Sequence, residues 1–223
     1  MIEITISDEI KKACPDLHIA VIECDVTNTP SDPKLWEEIA AFENEFRSTY
    51  EMGQINKRLP IAATRAAYKA FGKDPNRYRP SAEALSRRVM KEISLYRIDT
   101  LVDLINLVSL KTGYSIGGFD ADKIEGALEL GVGKADEKFE AIGRGLLNIE
   151  GLPVYRDRAG GIGTPTSDEE KTKISLNTKK LLMIINGYSG IRGLEEAAAL
   201  ATTLLNDFID AENVTIRFLN SEN

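Results

Sequence analysis

Apolar residues near the two ends of the chain follow the spacing of β-strands. Residues 2–6 alternate apolar and polar side chains, which is the pattern of a strand with one buried face. Residues 17–24 form an apolar run of the length of a strand buried on both faces. Residues 214–219 have a similar strand character. We therefore expect this last strand to pair with the N-terminal strands and to close a sheet.

Helical patterns occupy the stretch between these strands. Asp32-Pro33 combines a capping carboxylate with a proline at the first turn, and it predicts a helix that runs to about Tyr50. Pro60 begins a second helix, which turn-forming residues at 72–75 end. These two elements make the N-terminal part of the chain mainly helical.

Two further helices follow. The first has one apolar face, formed by Leu85, Val89 and Ile93. The second begins at Thr100-x-x-Asp103, which resembles a capping box because its side-chain oxygens can accept hydrogen bonds from exposed backbone amides. Gly113 is placed to end this helix.

After the fourth helix the pattern changes to short strands. Apolar runs of strand length occur at 127–132, 152–155 and 181–185, separated by turns. A long amphipathic helix then covers residues 194–208. The chain is therefore predicted to be α+β, with a helical N-terminal part packed on a mostly antiparallel sheet region, and we expect residues 1–223 to form a single domain.

Composition places the chain among ordinary globular proteins. Its 223 residues are 43% hydrophobic and 28% charged. The first residues lack the basic start and apolar core of a secretory signal, and no apolar run is long enough to cross a bilayer. Cys14 and Cys24 form neither a disulfide framework nor a metal motif. We therefore expect a cytoplasmic protein that does not enter the membrane.

Charge is distributed unevenly along the chain. Residues 57–97 carry eleven basic and three acidic side chains, a net +8, whereas the whole chain carries −7 and the remainder therefore −15. The basic residues are Lys57, Arg58, Arg65, Lys69, Lys73, Arg77, Arg79, Arg87, Arg88, Lys91 and Arg97. Four aromatic residues lie among them: Tyr68, Phe71, Tyr78 and Tyr96. This segment fits a phosphate-binding surface with stacking positions, or else a set of solvated helix faces over packed tyrosines.

Three motif lookalikes fail on physical grounds. Residues 113–117 fit G-x-S-x-G, but a helix precedes the serine and the only histidine, His18, lies upstream. Cys14 lies four residues before His18, with Pro15 preventing a helical arrangement of the two. Residues 160–163 lack the spacing of a dinucleotide fingerprint and are typical of a turn whose amides could meet an anion. A single histidine also disfavours a zinc site. No cofactor or metal is predicted.

Several separated pieces of the central region occur in the order of one known family. They are Pro80-Ser81, Arg87-Arg88, residues 99–106, Phe119-Asp120-Ala121-Asp122-Lys123-Ile124 and residues 172–182. In this order they resemble the tRNA-binding and editing region, formed by the third and fourth B modules, of the phenylalanyl-tRNA synthetase beta chain. The free-standing proteins that carry this region alone are more similar still. The resemblance covers about residues 80–190, which we take as the core of a tRNA-binding domain.

The resemblance implies a pocket that accepts a misattached amino acid at the tRNA 3′ end, where water hydrolyses the ester. It implies no ligase activity, since no aminoacylation site is visible. The family has a histidine where this chain has Gly117 and a glutamate where it has Ile184. Neither residue offers a side-chain hydrogen bond, so a tyrosine-specific editor is disfavoured. Hydrolysis assisted by the ribose hydroxyl or by a positioned water stays open.

The same alignment predicts a pocket bounded by the helix at 100–112, by a bend at 117–120, and by residues 161–166 with Thr172. The substrate-binding candidates are Asn106, Gly117, Gly118, Phe119, Asp120, Gly161 and Thr172. Asn106 is either a pocket-lining donor or a buried structural amide. Asp120 is alternatively a turn acid, and Thr172 a strand cap. The candidates for RNA phosphates are Arg87, Arg88 and Arg97.

Three functions are consistent with these patterns. The first is a trans-acting hydrolase of a mischarged aminoacyl-tRNA, and the second is a tRNA-binding module without catalysis. The third is a pocket protein that binds a free amino acid or a similar metabolite. The basic segment favours the first two, and the missing histidine and glutamate favour the last two. The oligomeric state is not specified by the sequence.

Overall fold

The computed structural model describes residues 1–221 and has a mixed α+β fold, which confirms the predicted fold class. No helix in this part of the chain is long and apolar enough to cross a membrane. The α-helices are α1 (Asp8–Ala13), α2 (Pro33–Thr49), α3 (Leu59–Ala70), α4 (Ser81–Val89), α5 (Thr100–Thr112) and α6 (Leu194–Ile209).

The strands form two four-stranded sheets and one short hairpin. In the described residues they are β1 (Ile4–Ile6), β2 (His18–Asp25), β3 (Ser115–Asp120), β4 (Leu128–Val132), β5 (Glu140–Ala141), β6 (Gly145–Leu146), β7 (Pro153–Asp157), β8 (Gly160–Gly163), β9 (Lys180–Gly187) and β10 (Glu212–Asn220). The first sheet has the order β10-β2-β9-β3, the second has the order β1-β4-β7-β8, and β5 pairs with β6.

The first sheet is antiparallel throughout and connects the two ends of the chain. β10 pairs with β2, so that Phe218 lies opposite Ala20. This confirms the expectation that the last strand closes a sheet with an N-terminal strand. In the second sheet only the pairing of β1 with β4 is parallel.

The two faces of the first sheet bury different sets of side chains. Toward the helices it presents Ala20, Ile22, Met183 and Ile185, which pack with α2, α4, α5 and α6. Toward the second sheet it presents Ile19, Val21, Leu182 and Ile184. The alternation of side chains along a strand produces this division, and the first sheet is therefore the middle of three layers.

Helix α5 differs from its predicted start by one residue. Asp99, not Thr100, is the N-cap, and its carboxylate accepts a hydrogen bond from Val102 N at 2.9 Å. The Thr100 hydroxyl bonds to the carbonyl of Pro30 instead, at 3.0 Å. Gly113 ends the helix as expected, in the left-handed region with φ +84°. The alternative partner for Thr100 comes from a distant loop, which the local pattern does not reveal.

Three other local predictions were wrong. Helix α4 ends at Val89, so Ile93 lies in the connection that follows and is exposed. Residues 117–120 do not bend but belong to β3, and Gly160–Gly163 is the strand β8. The glycine-rich segments extend because ladder pairing with β9 and β7 satisfies their backbone groups.

Candidate functional site

A cavity of about 360 Å³ lies where α5, β3 and residues 164–168 meet. Apolar side chains form most of its wall: Leu85, Ile98, Val102, Ile105, Ile116, Ile142 and Ile174. The polar residues around it are Ser81, Asn106, Ser109, Thr164, Ser167, Asp168 and Lys173. A mainly apolar wall that also presents polar groups is the usual composition of a ligand site.

Two of the predicted substrate-binding residues line this cavity, and they come from α5 and β3. Asn106 is half-buried, and its amide has no hydrogen-bond partner among the described residues. Gly118 has no side chain, and this allows two side chains of the cavity wall to pack against β3. A Cβ at this position would lie 2.6 Å from Ile105 Cδ1 and 3.0 Å from Ile174 Cδ1. Asn106 therefore lies on the cavity wall, and its side-chain amide is available to form a hydrogen bond with a ligand.

Gly117 and Phe119 face the opposite side of β3. Gly117 lies directly across the ladder from Ile184, so the two positions that correspond to the family histidine and glutamate are neighbours in space. A Cβ at Gly117 would lie 2.7 Å from Phe119 Cζ, and the Phe119 ring is fully buried. An aromatic ring thus occupies the space beside these two positions.

The other three predicted residues also lie outside the cavity wall. Asp120 accepts a hydrogen bond from the Thr178 hydroxyl at 3.0 Å and forms an ion pair with Lys123 at 3.3 Å. Gly161 packs against Phe139 in the interior. The Thr172 hydroxyl is buried and has no hydrogen-bond partner in the part of the chain that the structure describes, although the next two residues along the chain do line the cavity.

Asp168 is a cavity residue that the sequence did not single out. One carboxylate oxygen, Oδ2, accepts a hydrogen bond from Gly118 N at 3.2 Å. The other, Oδ1, has no hydrogen-bond or ion-pair partner among the described residues. Burial raises the pKa of Asp168 from 3.8 to about 7, although the Gly118 amide acts in the other direction. In the sequence Asp168 stands in a Ser-Asp-Glu-Glu-Lys run that looks like a solvated turn.

We expect Asp168 to make the folded protein less stable as the pH rises. Its folded pKa of about 7 exceeds the ordinary 3.8, so the folded state holds an extra proton between these values and stability is lost through that window. The full rise corresponds to about 4 kcal/mol, and water in the open cavity reduces it. The unfolding free energy of Asp168→Asn minus that of wild type should therefore increase by about 1–2 kcal/mol from about pH 5 to about pH 8. Urea denaturation at the two pH values measures this increase. An equal difference at both pH values would contradict this assignment.

The connection between α4 and α5, residues 90–99, is held from beneath by two buried carboxylates. Glu43 on α2 accepts hydrogen bonds from the Ser94 hydroxyl at 2.9 Å and from Leu95 N at 2.7 Å. Asp103 accepts one from Ile98 N at 2.9 Å. The side chains of Ile93, Tyr96 and Ile98 are exposed above this support. This α4–α5 connection is therefore an ordered surface with exposed apolar and aromatic groups.

The three predicted RNA-binding arginines have different environments. Arg88 donates to the carbonyl of Ser94 at 2.6 Å, and its guanidinium lies 4.0 Å from the centre of the Tyr96 ring. Arg97 is exposed and lies 5.2 Å from the Trp36 ring. Arg87 forms an ion pair at 2.8 Å with the buried Glu83. Arg88 and Arg97 thus keep outward-facing cationic character, whereas the guanidinium of Arg87 is engaged by Glu83, a carboxylate that it shares with Arg65.

Part of the basic segment stabilises the fold instead of facing outward. Arg58 donates to the carbonyls of Leu110 and Lys111 at the end of α5, at 2.9 and 2.8 Å. Arg65 also pairs with Glu83, at 2.7 Å, and Lys73 Nζ donates to two backbone carbonyls. The cationic surface is therefore narrower than the count of basic residues suggests. Lys91 and Arg97 are exposed on the α4–α5 connection, and Lys57, Lys69, Arg77 and Arg79 are exposed elsewhere in the segment. Ile98, at the end of that connection, also lines the cavity.

Comparison with protein-family models classifies the chain. The family model described as "B3/4 domain" matches residues 63–214. No curated protein matches this chain. Among solved structures, the chain is similar to an N-terminal fragment of the phenylalanyl-tRNA synthetase beta-subunit from Pyrococcus horikoshii, with 16% identity and a TM-score of 0.49. That match covers 97% of this chain and 50% of the fragment, so the chain spans half the length of that solved relative.

Proposed function

The chain belongs to the B3/4 domain family, and from this premise we propose that it binds aminoacyl-tRNA and hydrolyses the ester of a mischarged one in trans. The aminoacylated 3′ end would enter the cavity, and the α4–α5 connection would contact the adjoining nucleotides. One observation carries this proposal: Ile98 belongs to both the connection and the cavity wall. An RNA strand lying along the connection therefore leads to the cavity.

The α4–α5 connection has the chemistry of a single-strand binding surface. Tyr96 is exposed and offers a ring face for base stacking, and Arg88 lies against that ring at 4.0 Å. Arg97 and Lys91 are exposed cations beside it. Because Glu43 and Asp103 hold the backbone beneath these groups, little ordering is required when RNA binds.

The cavity has the size and polarity to receive an aminoacyl group. Its volume of about 360 Å³ is within the usual range for ligand pockets. In the proposed reaction, a water oxygen attacks the ester carbonyl carbon and the bond from that carbon to the ribose oxygen breaks. The ribose oxygen takes up one proton of this water, and the amino acid leaves with a free carboxyl group. The free amide of Asn106 can donate a hydrogen bond to the carbonyl oxygen as negative charge develops on it. Gly117 and Ile184 contribute no side-chain chemistry to this step.

A panel of correctly charged and mischarged aminoacyl-tRNAs tests the proposal directly. Accelerated release of the amino acid from one mischarged species, in the presence of this protein, is the expected result. Binding without accelerated release would leave a non-catalytic tRNA-binding module. Absence of tRNA binding at low salt, together with thermal stabilisation by a free amino acid, would leave the second candidate, a pocket protein for a small metabolite. The engagement of Arg87 by the buried Glu83 is the observation that favours this second candidate.

Phosphate contacts at the α4–α5 connection should appear in the salt dependence of binding. We expect Arg88→Gln/Arg97→Gln to weaken tRNA binding about tenfold and to reduce the slope of log affinity against log salt by about 1–2, since about 0.7–0.9 counterions are released per phosphate contact. Filter binding over a range of salt concentrations measures both effects. Lys12→Ala, at an exposed position on α1, is the matched control. An unchanged slope in the double variant, with its melting temperature preserved, would exclude this surface.

A further inference from the structure

Two glycines make room for the Asp168 carboxylate beside β3. A Cβ at Gly163 would lie 2.9 Å from Asp168 Oδ1, and one at Gly117 would lie 3.5 Å from the same atom. The Gly118 amide fixes the other oxygen, Oδ2, at 3.2 Å. The carboxylate is therefore oriented by the backbone, while Oδ1 is without a partner in residues 1–221.

Within residues 1–221, no cation compensates the charge of Asp168. Lys173 is the basic residue that lines the cavity, but its ammonium is paired with Glu170. Asp168 is half-buried, and withdrawing part of its carboxylate from water without supplying a counter-charge is costly, which is why burial raises its pKa. A cationic ligand group would offset this cost and form a charge-assisted hydrogen bond with the ionised carboxylate.

The remaining wall restricts the rest of the ligand. Val102, Ile105, Ile116 and Ile174 form an apolar surface with which an aliphatic or aromatic side chain could pack. Asn106, also on the wall, is a neutral group that can bond to a carbonyl. An ammonium partner, a carbonyl partner and an apolar wall are together the chemistry of an amino acid acylated onto another group.

We propose that Asp168 binds the α-ammonium of the aminoacyl group, and that the cavity selects amino acids with apolar side chains. This assignment rests on the proposed function, because it places the aminoacyl end of the tRNA in this cavity. It makes Asp168 a binding residue that determines specificity, and it assigns the apolar wall to the side chain of the substrate.

Titration calorimetry with matched probes tests the assignment without tRNA. The probes are L-leucinamide and L-phenylalaninamide, each compared with the analogue that lacks the amino group, 4-methylpentanamide and 3-phenylpropanamide. We expect wild type to bind at least one amine about tenfold or more tightly than its analogue. Asp168→Asn should lose this preference, since its side-chain oxygen can still accept the Gly118 hydrogen bond but its charge is gone. Asp122→Asn, at an exposed carboxylate, should keep it.

The outcomes separate this inference from the proposed function. Equal binding of the amine and its analogue by wild type, an unchanged preference in Asp168→Asn, or no binding of any probe at millimolar concentration would each overturn the role of Asp168. Deacylation of a mischarged tRNA that is unaffected by Asp168→Asn would also overturn this role while supporting hydrolysis. A preference for the amine that depends on Asp168, in a protein that deacylates no tRNA, would support this inference and refute the hydrolase.

Discussion

Replacing Asp103 with alanine should lower the free energy of unfolding by about 4 kcal/mol, the largest stability effect that we expect from a single polar side chain here. Asp103 is fully buried near the start of α5. Its carboxylate accepts hydrogen bonds from Trp36 Nε1 at 2.7 Å, from the Ser31 hydroxyl at 2.5 Å and from Ile98 N at 2.9 Å. The alanine variant would leave three partly buried donors without their acceptor, and a donor that loses its partner costs about 1–3 kcal/mol where water does not replace it.

Urea denaturation measures this loss, and two further variants show its cause. Asp103→Asn should fall between wild type and alanine, because an amide offers one acceptor oxygen but turns an NH₂ group toward the donors. Asp122→Ala removes an exposed carboxylate that lies 3.6 Å from Lys180, and it should change stability by less than about 0.5 kcal/mol. A loss below about 1 kcal/mol for Asp103→Ala would show that these hydrogen bonds are replaced by water. Faster amide exchange at Ile98 in the variant would connect the loss to the α4–α5 connection.

The elements that were predicted correctly are those whose signals are local. Asp32-Pro33 and Gly113 state a helix start and a helix end in adjacent residues, and α2 and α5 begin or end accordingly. Pairing of β10 with β2 followed from apolar strands at both ends of the chain. The predictions at Gly117, Gly118 and Gly163 were wrong because a glycine that permits a turn equally permits close packing in a strand. Phe119 and Ile105 supply that packing here, and both contacts depend on tertiary structure.

The candidate site was predictable in outline but not in its chemistry. The alignment placed a cavity between α5, β3 and the segment after β8, and Asn106 and Gly118 lie on its wall. It did not show which face of β3 borders the cavity. A shift of one residue along a strand exchanges the two faces, so Gly118 lies on the cavity wall and Gly117 on the opposite face. Asp168 was missed because its significance depends on an amide 50 positions away in the sequence.

The prediction from the charge distribution agrees least well with the structure. The basic segment suggested a broad phosphate-binding surface, but its arginines compete for internal acceptors. Arg65 and Arg87 converge on the buried Glu83, and Arg58 binds the carbonyls that end α5. A sequence count cannot separate these structural cations from Arg88 and Arg97, because the partners come from other helices. The narrower surface implies that few phosphates are contacted, so a modest salt dependence is expected.

Filling the cavity should have the largest effect on function. Asn106 lies on the cavity wall and its side-chain amide makes no hydrogen bond within the described residues, so replacing the side chain breaks no protein contact of that kind. An indole at this position would occupy a substantial part of the cavity, whose volume is about 360 Å³. We therefore expect Asn106→Trp to reduce binding of the amide probes and the rate of deacylation by about 100-fold, since steric exclusion removes the whole pocket contribution.

Asn106→Trp should leave the RNA-binding surface intact, so that deacylation is lost while tRNA affinity is kept. Affinity for uncharged tRNA should change by less than about threefold, because Arg88 lies in the last turn of α4 and Tyr96 and Arg97 lie on the connection, so none of the three is on α5. Asn44→Trp, the same substitution at an exposed position on α2, is the matched control and should retain both activities. Unimpaired deacylation by a folded Asn106→Trp protein would place the reaction elsewhere on the molecule. A parallel loss of tRNA affinity would instead mean that α5 contacts the RNA body, and that cavity and RNA surface are one site.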